Sequence, residues 1–132
     1  MSRACRILLV EDDLGVQELL QHILTDEGNE VVVAKDGPST QAALETGNFN
    51  AAIIDFRLPG SETGLSLAQQ AADRGCGVVL ITADHLQDEA LAASGHRYLL
   101  KPFRVEALLE ATQRAVEAVQ ARCNIRRDRR VI

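Results

Sequence analysis

Ile7-Leu8-Leu9-Val10-Glu11-Asp12-Asp13 decides the fold: four aliphatic residues with no polar break run straight into three acids. The same event recurs three times. Ala51-Ala52-Ile53-Ile54 stops at Asp55, Val78-Val79-Leu80-Ile81 at Thr82, and Tyr98-Leu99-Leu100 at Lys101. Short apolar runs rich in Ile and Val, bounded by turn residues, read as strands buried on both faces, the kind found in parallel sheets covered by helices. If the strands are parallel, all four runs end on one edge, and in an open α/β sheet that carboxyl edge is where ligands bind. Glu11, Asp12, Asp55, Thr82 and Lys101 are therefore expected to converge on one crevice.

The segments between the runs have helical spacing. Val16, Leu19, Leu20, Ile23 and Leu24 form an amphipathic stripe that stops near Gly28. Glu30 to Ala34 is a second strand, Asp36-Gly37-Pro38 a turn into a helix through about Glu45, and Leu65, Ala68 and Ala72 mark a third helix to Arg74. Leu86 to Ala93 is a short helix stopped by Ser94-Gly95, and after Lys101-Pro102 a stripe through Val105, Leu108, Leu109, Val116 and Val119 continues to about Arg122. This alternation predicts an α/β fold, a flavodoxin-like (βα)₅ three-layer sandwich with a parallel sheet of strand order 2-1-3-4-5.

Composition fits one compact domain. The chain has 132 residues, 46% hydrophobic and 25% charged, and no repeat or low-complexity tract. We read residues 1–122 as the domain and 123–132 as a basic tail or the start of a linker. The net charge of −5 is uneven, because residues 121–132 carry five Arg and one Asp, which leaves the preceding body at −9. An acidic body repels nucleic acid, and the tail has no aromatic residue for base stacking, so direct nucleic-acid binding is not expected. Three cysteines, Cys5, Cys76 and Cys123, are odd in number and far apart, which suits reduced thiols and a cytoplasmic location. No apolar run approaches the ~20 residues of a membrane span, and the first is too short for a signal peptide.

The residues at the strand ends point to phosphoryl chemistry. Two unit charges at 4 Å repel by about 4 kcal/mol at an effective dielectric near 20, so Glu11, Asp12 and Asp55 together require protonation or a cation. Oxygen ligands with room for water suit Mg²⁺ or Mn²⁺ better than Zn²⁺, and the carbonyl of Arg57 is a further ligand. Lys101, one of two lysines, supplies an ammonium and Thr82 a hydroxyl for anionic phosphoryl oxygens, and Asp55, lying between the metal pair and the Thr/Lys side, is the natural acceptor. His22, His85 and His96 lack partners at metal-ligand spacing and read as surface residues.

These residues resemble the receiver domains of two-component response regulators, of the CheY-like superfamily, over about residues 5–121. The resemblance rests on the first acidic run, on Ile53-Ile54-Asp55-Phe56-Arg57-Leu58-Pro59-Gly60 with Gly64, on Leu80-Ile81-Thr82-Ala83, and on Tyr98-Leu99-Leu100-Lys101-Pro102-Phe103. It implies a signalling switch that catalyses only its own phosphorylation and dephosphorylation. Asp55 would take a phosphoryl group from a histidine kinase or phosphotransfer protein, Glu11 and Asp12 would hold Mg²⁺, Thr82 and Lys101 would contact the phosphoryl oxygens, and Tyr98 would match the rotameric switch. The partner on the output side would be a protein, with a phosphorylation-dependent dimer as a further possibility. Asp13 falls one position beyond the acidic pair and reads as a helix-start acid.

Two departures from the family pattern stand out. The loop between Asp55 and Gly64 is one residue longer, and the stretch from Thr82 to Lys101 a few residues shorter. Arg57 and Asp84, two positions beyond Asp55 and Thr82, occupy places that tune hydrolysis in the family. A receiver segment of a hybrid histidine kinase is the main alternative. An aspartyl-nucleophile phosphatase of the haloacid dehalogenase type ranks lower, because its general acid would sit where Arg57 stands.

Overall fold

The computed structural model describes residues 4–58, 63–83 and 88–130. Five strands alternate with five helices: β1 (Arg6–Val10), α1 (Leu14–Asp26), β2 (Glu30–Ala34), α2 (Gly37–Thr46), β3 (Ala51–Asp55), α3 (Gly64–Asp73), β4 (Gly77–Thr82), α4 (Asp88–Ser94), β5 (Arg97–Leu100) and α5 (Val105–Arg130). All pairings are parallel and the order is β2-β1-β3-β4-β5, as the alternation predicts.

Residue alternation along the strands divides the core into two layers. Leu8, Val10, Ala52, Ile54, Val78 and Leu80 face α2, α3 and α4, where Leu44, Leu67 and Leu91 meet them. Ile7, Leu9, Ala51, Ile53, Val79 and Ile81 face α1 and α5, against Leu20, Leu24, Leu108 and Val116. The central strands β1, β3 and β4 are buried almost throughout, as their unbroken apolar runs require. Tyr98, Leu99 and Leu100 of β5 are only half-buried, as are Val31, Val32 and Val33 of β2, because both strands lie at sheet edges.

Local chemistry sets the helix ends. Asp13 caps α1 by accepting from the Val16 N–H, the role its place beyond the acidic pair predicts. Asp36 and Ser39 form a capping box at the start of α2, so the Asp36-Gly37-Pro38 turn is itself the helix start. Gly28, with φ of 89°, follows α1 in the left-handed conformation glycine adopts freely.

Two features differ from the sequence pattern. Leu19, read as part of the α1 stripe, is 59% exposed, because it lies on the stripe's flank while Leu20 and Leu24 reach the core. The α4 helix is described from Asp88, and its expected start at Leu86 falls among residues 84–87, outside those described. The final helix does not end near Arg122 but runs to Arg130.

Candidate functional site at the carboxyl edge of the sheet

The carboxyl edge gathers what the four strand ends promise. Glu11 directly follows β1, Asp55 ends β3, Thr82 ends β4 and Lys101 directly follows β5. Backbone bonds extend the ladders one step past the strands: the Glu11 N–H donates to the Ala34 carbonyl (3.1 Å), Phe56 to Ile81 (2.8 Å) and Lys101 to Thr82 (2.7 Å). The side chains at these positions therefore stand on a rigid frame. Just beyond Asp55 the backbone lies close against the first residue of α3. A Cβ on Gly64 would lie 2.6 Å from the Asp55 carbonyl oxygen and from the Phe56 Cα, so only glycine permits this approach.

Glu11, Asp12 and Asp55 each present a carboxylate oxygen within 4.8 Å of the others. Glu11 is fully buried, Asp55 is 8% exposed, and Asp12 is open to solvent. Lys101 bridges the two buried acids, its Nζ standing 2.8 Å from Glu11 Oε1 and 3.6 Å from Asp55 Oδ2. The other Glu11 oxygen accepts from the Asp12 N–H (3.1 Å), and Asp55 Oδ1 accepts from the Arg57 N–H (3.0 Å). An open cleft of about 420 Å³ lies over this group, lined by Asp55, Arg57, Thr82, Ala83 and Lys101.

Electrostatics record the crowding. Burial, reinforced by the shared hydrogen bond and the charge of Asp55, pushes the Glu11 carboxyl up to about 7 against the opposing pull of Lys101. Burial alone would pull the Lys101 ammonium down, but its bond to Glu11 and the charges of Asp55 and Glu11 outweigh this, so its pKa is raised. The lysine thus stays charged, while the Glu11 carboxyl holds its proton to much higher pH than an ordinary glutamate. Three carboxylates against one ammonium, all hard oxygen donors with one open to water, fit a partly hydrated divalent cation.

The sequence-predicted residues Glu11, Asp12, Asp55, Thr82 and Lys101 all come together here. Lys101 engages Glu11 more closely than Asp55 in this state. Thr82 is buried at the cleft wall, and Arg57 is exposed at its rim. Tyr98, on β5, is half-buried and packs against the core layer that contains Leu91 of α4. Pro59, Gly60, Asp84 and His85 lie outside the described residues, and with Asp84 goes one of the two hydrolysis-tuning places. His22, expected at the surface, is exposed and sits 3.4 Å from Asp26 one turn on. Sequence reasoning passed over Gln17, whose side-chain amide donates to the Glu11 carbonyl (2.9 Å) and ties the first turn of α1 to the end of β1. Its place one turn after the Asp13 cap was the available signal.

Comparison with known proteins agrees with this geometry. The family model "Response regulator receiver domain" matches residues 7–113. The chain is 31% identical over 122 residues to the chemotaxis protein CheY of Pseudomonas aeruginosa, covering 86% of this chain and 98% of CheY. It is 32% identical over 120 residues to the alginate biosynthesis transcriptional regulatory protein AlgB of the same organism, covering 87% of this chain but 26% of AlgB. Among solved structures, the receiver domain of the P. aeruginosa sensor histidine kinase PA1611, which has a magnesium ion coordinated in its active-site cleft, superposes with a TM-score of 0.76 at 28% identity, over 87% of this chain and 99% of that one. With the five-strand order, the acidic cluster and a family match over most of its length, this chain belongs to the response regulator receiver domains of two-component systems.

Proposed function

We propose that Asp55 is the phosphoacceptor of a two-component phosphorelay and that its phosphorylation switches a protein-interaction surface. One observation carries the reading: a nearly buried strand-end aspartate, one oxygen held by the Arg57 N–H and the other facing Lys101, opens onto a cleft beside two further acids. The donor is a phosphohistidine of a histidine kinase or phosphotransfer protein. A carboxylate oxygen of Asp55 attacks phosphorus, an O–P bond forms, the P–N bond to the imidazole breaks, and the leaving nitrogen keeps the electron pair and takes a proton from solvent.

Mg²⁺, or Mn²⁺, held by Glu11, Asp12, Asp55 and the Arg57 carbonyl would neutralise charge on the phosphoryl oxygens. The residues do the rest. The Arg57 N–H fixes the Asp55 carboxylate, Lys101 is positioned to transfer its ammonium from Glu11 to a new phosphoryl oxygen, and Thr82 supplies a hydroxyl. Phosphorylation adds about −1.5 to −2 charge among existing acids, so the product is stable only while these groups engage it. Moving Lys101 and Thr82 draws on β4 and β5, and Tyr98, three residues before Lys101, reports the shift at the surface. A second reading places this chain within a hybrid histidine kinase; its likeness to the PA1611 receiver favours that context, and the full gene distinguishes the two.

The test is incubation with a small-molecule phosphodonor and Mg²⁺, read by intact mass. One phosphoryl adduct is expected on the wild type and none on Asp55→Asn; an adduct that survives the substitution overturns the assignment.

A further inference from the structure

The β1–β2 ladder has a defined next step that the chain does not take. The Glu30 N–H donates to the Cys5 carbonyl (2.9 Å), and the two strands stay in register as far as Val10 and Ala34. Bonds of a parallel ladder repeat every two residues, so the same series would bring the Asp36 N–H to the Glu11 carbonyl. Asp36 turns away instead. Its N–H donates to the Ser39 hydroxyl (3.3 Å), one half of the capping box that starts α2. The carbonyl of a fully buried residue is thus left at the end of the sheet without its strand partner, and a buried carbonyl has to be paired.

The side chain of Gln17 supplies the missing bond. From a half-buried place in the first turn of α1, its amide donates to the Glu11 carbonyl at 2.9 Å. The helix holds Gln17 in turn, because its own N–H donates to the Asp13 carbonyl (2.9 Å) while the Asp13 carboxylate accepts from Val16 (3.0 Å).

The peptide that Gln17 grips is the one that joins Glu11 to Asp12. Its N–H donates to Glu11 Oε2 (3.1 Å), so both polar ends of the peptide plane are fixed. The orientation of that plane sets where the Asp12 side chain leaves the backbone. Asp12 is exposed, and among the described residues no donor bonds its carboxylate, so its backbone is what brings it within 4.8 Å of the Glu11 and Asp55 oxygens. A neutral amide fixes the carbonyl without adding charge beside the acids.

We propose that Gln17 is a positioning residue of the cation site: its amide takes the place of the ladder bond that Asp36 gives up, and so aims Asp12 at a divalent cation. The inference rests on the reading that Glu11, Asp12 and Asp55 hold that cation. Groups that orient a metal ligand from one step away are worth roughly ten- to a hundredfold in affinity.

Electron paramagnetic resonance of Mn²⁺ titrated into the metal-free 132-residue chain tests the proposal, since it counts free cation and needs no phosphoryl transfer. Gln17→Met and Gln17→Leu keep a side chain of comparable bulk and remove the donor. Each is expected to stay folded by circular dichroism and to weaken the Kd for Mn²⁺ about tenfold. Made on an Asp12→Asn background, the same substitutions are expected to change Kd by less than about twofold, because the ligand that Gln17 aims is gone; a general loosening of the fold would act in both backgrounds. Equal affinity in the wild type and the Gln17 variants, or an equal loss with and without Asp12, overturns the inference and leaves the cation site standing. A wild type that takes up no Mn²⁺ overturns the cation reading itself, and the inference with it.

Discussion

At the scale of single residues, Glu11 holds the tension of the site. It is fully buried, it touches Lys101, and burial pushes its carboxyl up to about 7 from an ordinary value of 4.5. A folded-state value above the unfolded one means that between about 4.5 and 7 the unfolded chain holds fewer protons than the folded chain. In that window stability falls as pH rises, and above it the cost is fully present. Without divalent cations, the stability difference between wild type and Glu11→Gln is therefore expected to move in favour of the wild type as pH is lowered from 7 towards 5, measured by urea unfolding; a difference that does not change with pH would place the proton elsewhere. The Glu11 position was legible in the sequence, since acids ending an apolar run must meet at the strand edge if the strands are parallel. Its proton and its grip on Lys101 were not, because both depend on the depth of burial and on which of two carboxylates the ammonium reaches first. Leu19 makes the same point from the apolar side: helical spacing admits it to the stripe, and only packing reveals that it lies outside.

At the scale of elements, two glycines make opposite predictions. Gly77 opens β4 where α5 crosses it, and a Cβ there would lie 2.5 Å from the Ala115 carbonyl carbon and oxygen. Both sides of that contact are backbone, so Gly77→Ala must push α5 off the sheet; a loss of about 1–3 kcal/mol is expected. Gly15 is in the first turn of α1, where a Cβ would meet only the Asp13 carboxylate oxygen at 3.4 Å. Gly15→Ala is expected to stabilise by about 0.5–1 kcal/mol through the lower entropy of the unfolded chain. Chemical denaturation of both variants checks the pair, and a stabilising Gly77→Ala would refute the close approach of α5 to β4. The alternation of elements and the strand order followed from apolar runs and helical spacing, whereas edge and centre could not be separated: β5 reads like β4 but is half-buried. The reach of α5 to Arg130 was hidden for a different reason. The apolar stripe stops near Val119, but arginine is a good helix former, so the helix continues without a core to hold it.

At the scale of the whole molecule, the sheet separates two cores that share no side chain among the described residues. One is closed by α2, α3 and α4 and the other by α1 and α5, and strand alternation assigns each residue to one of them. Ile54 belongs to the first and Ile7 to the second, and both are fully buried. Their strands are neighbours, but Ile7 pairs with Ala51 and Ile54 with Val10, so the two isoleucines are offset by three residues, about 10 Å along the strands, and point to opposite faces. Removing one methylene from each leaves two small cavities with no common lining. Ile7→Val and Ile54→Val are each expected to cost about 0.5–1.5 kcal/mol. The double variant is expected to lose the sum to within about 0.5 kcal/mol, the behaviour of separated sites. Urea unfolding of the four proteins completes the cycle at unchanged slope. A larger coupling would mean that the sheet transmits repacking from one layer to the other. The distinction bears on signalling, because Tyr98 and α4 belong to the first layer and α1 and α5 to the second. Additive cores would let a shift of β5 at the carboxyl edge reorganise the α4 side while leaving the other face in place.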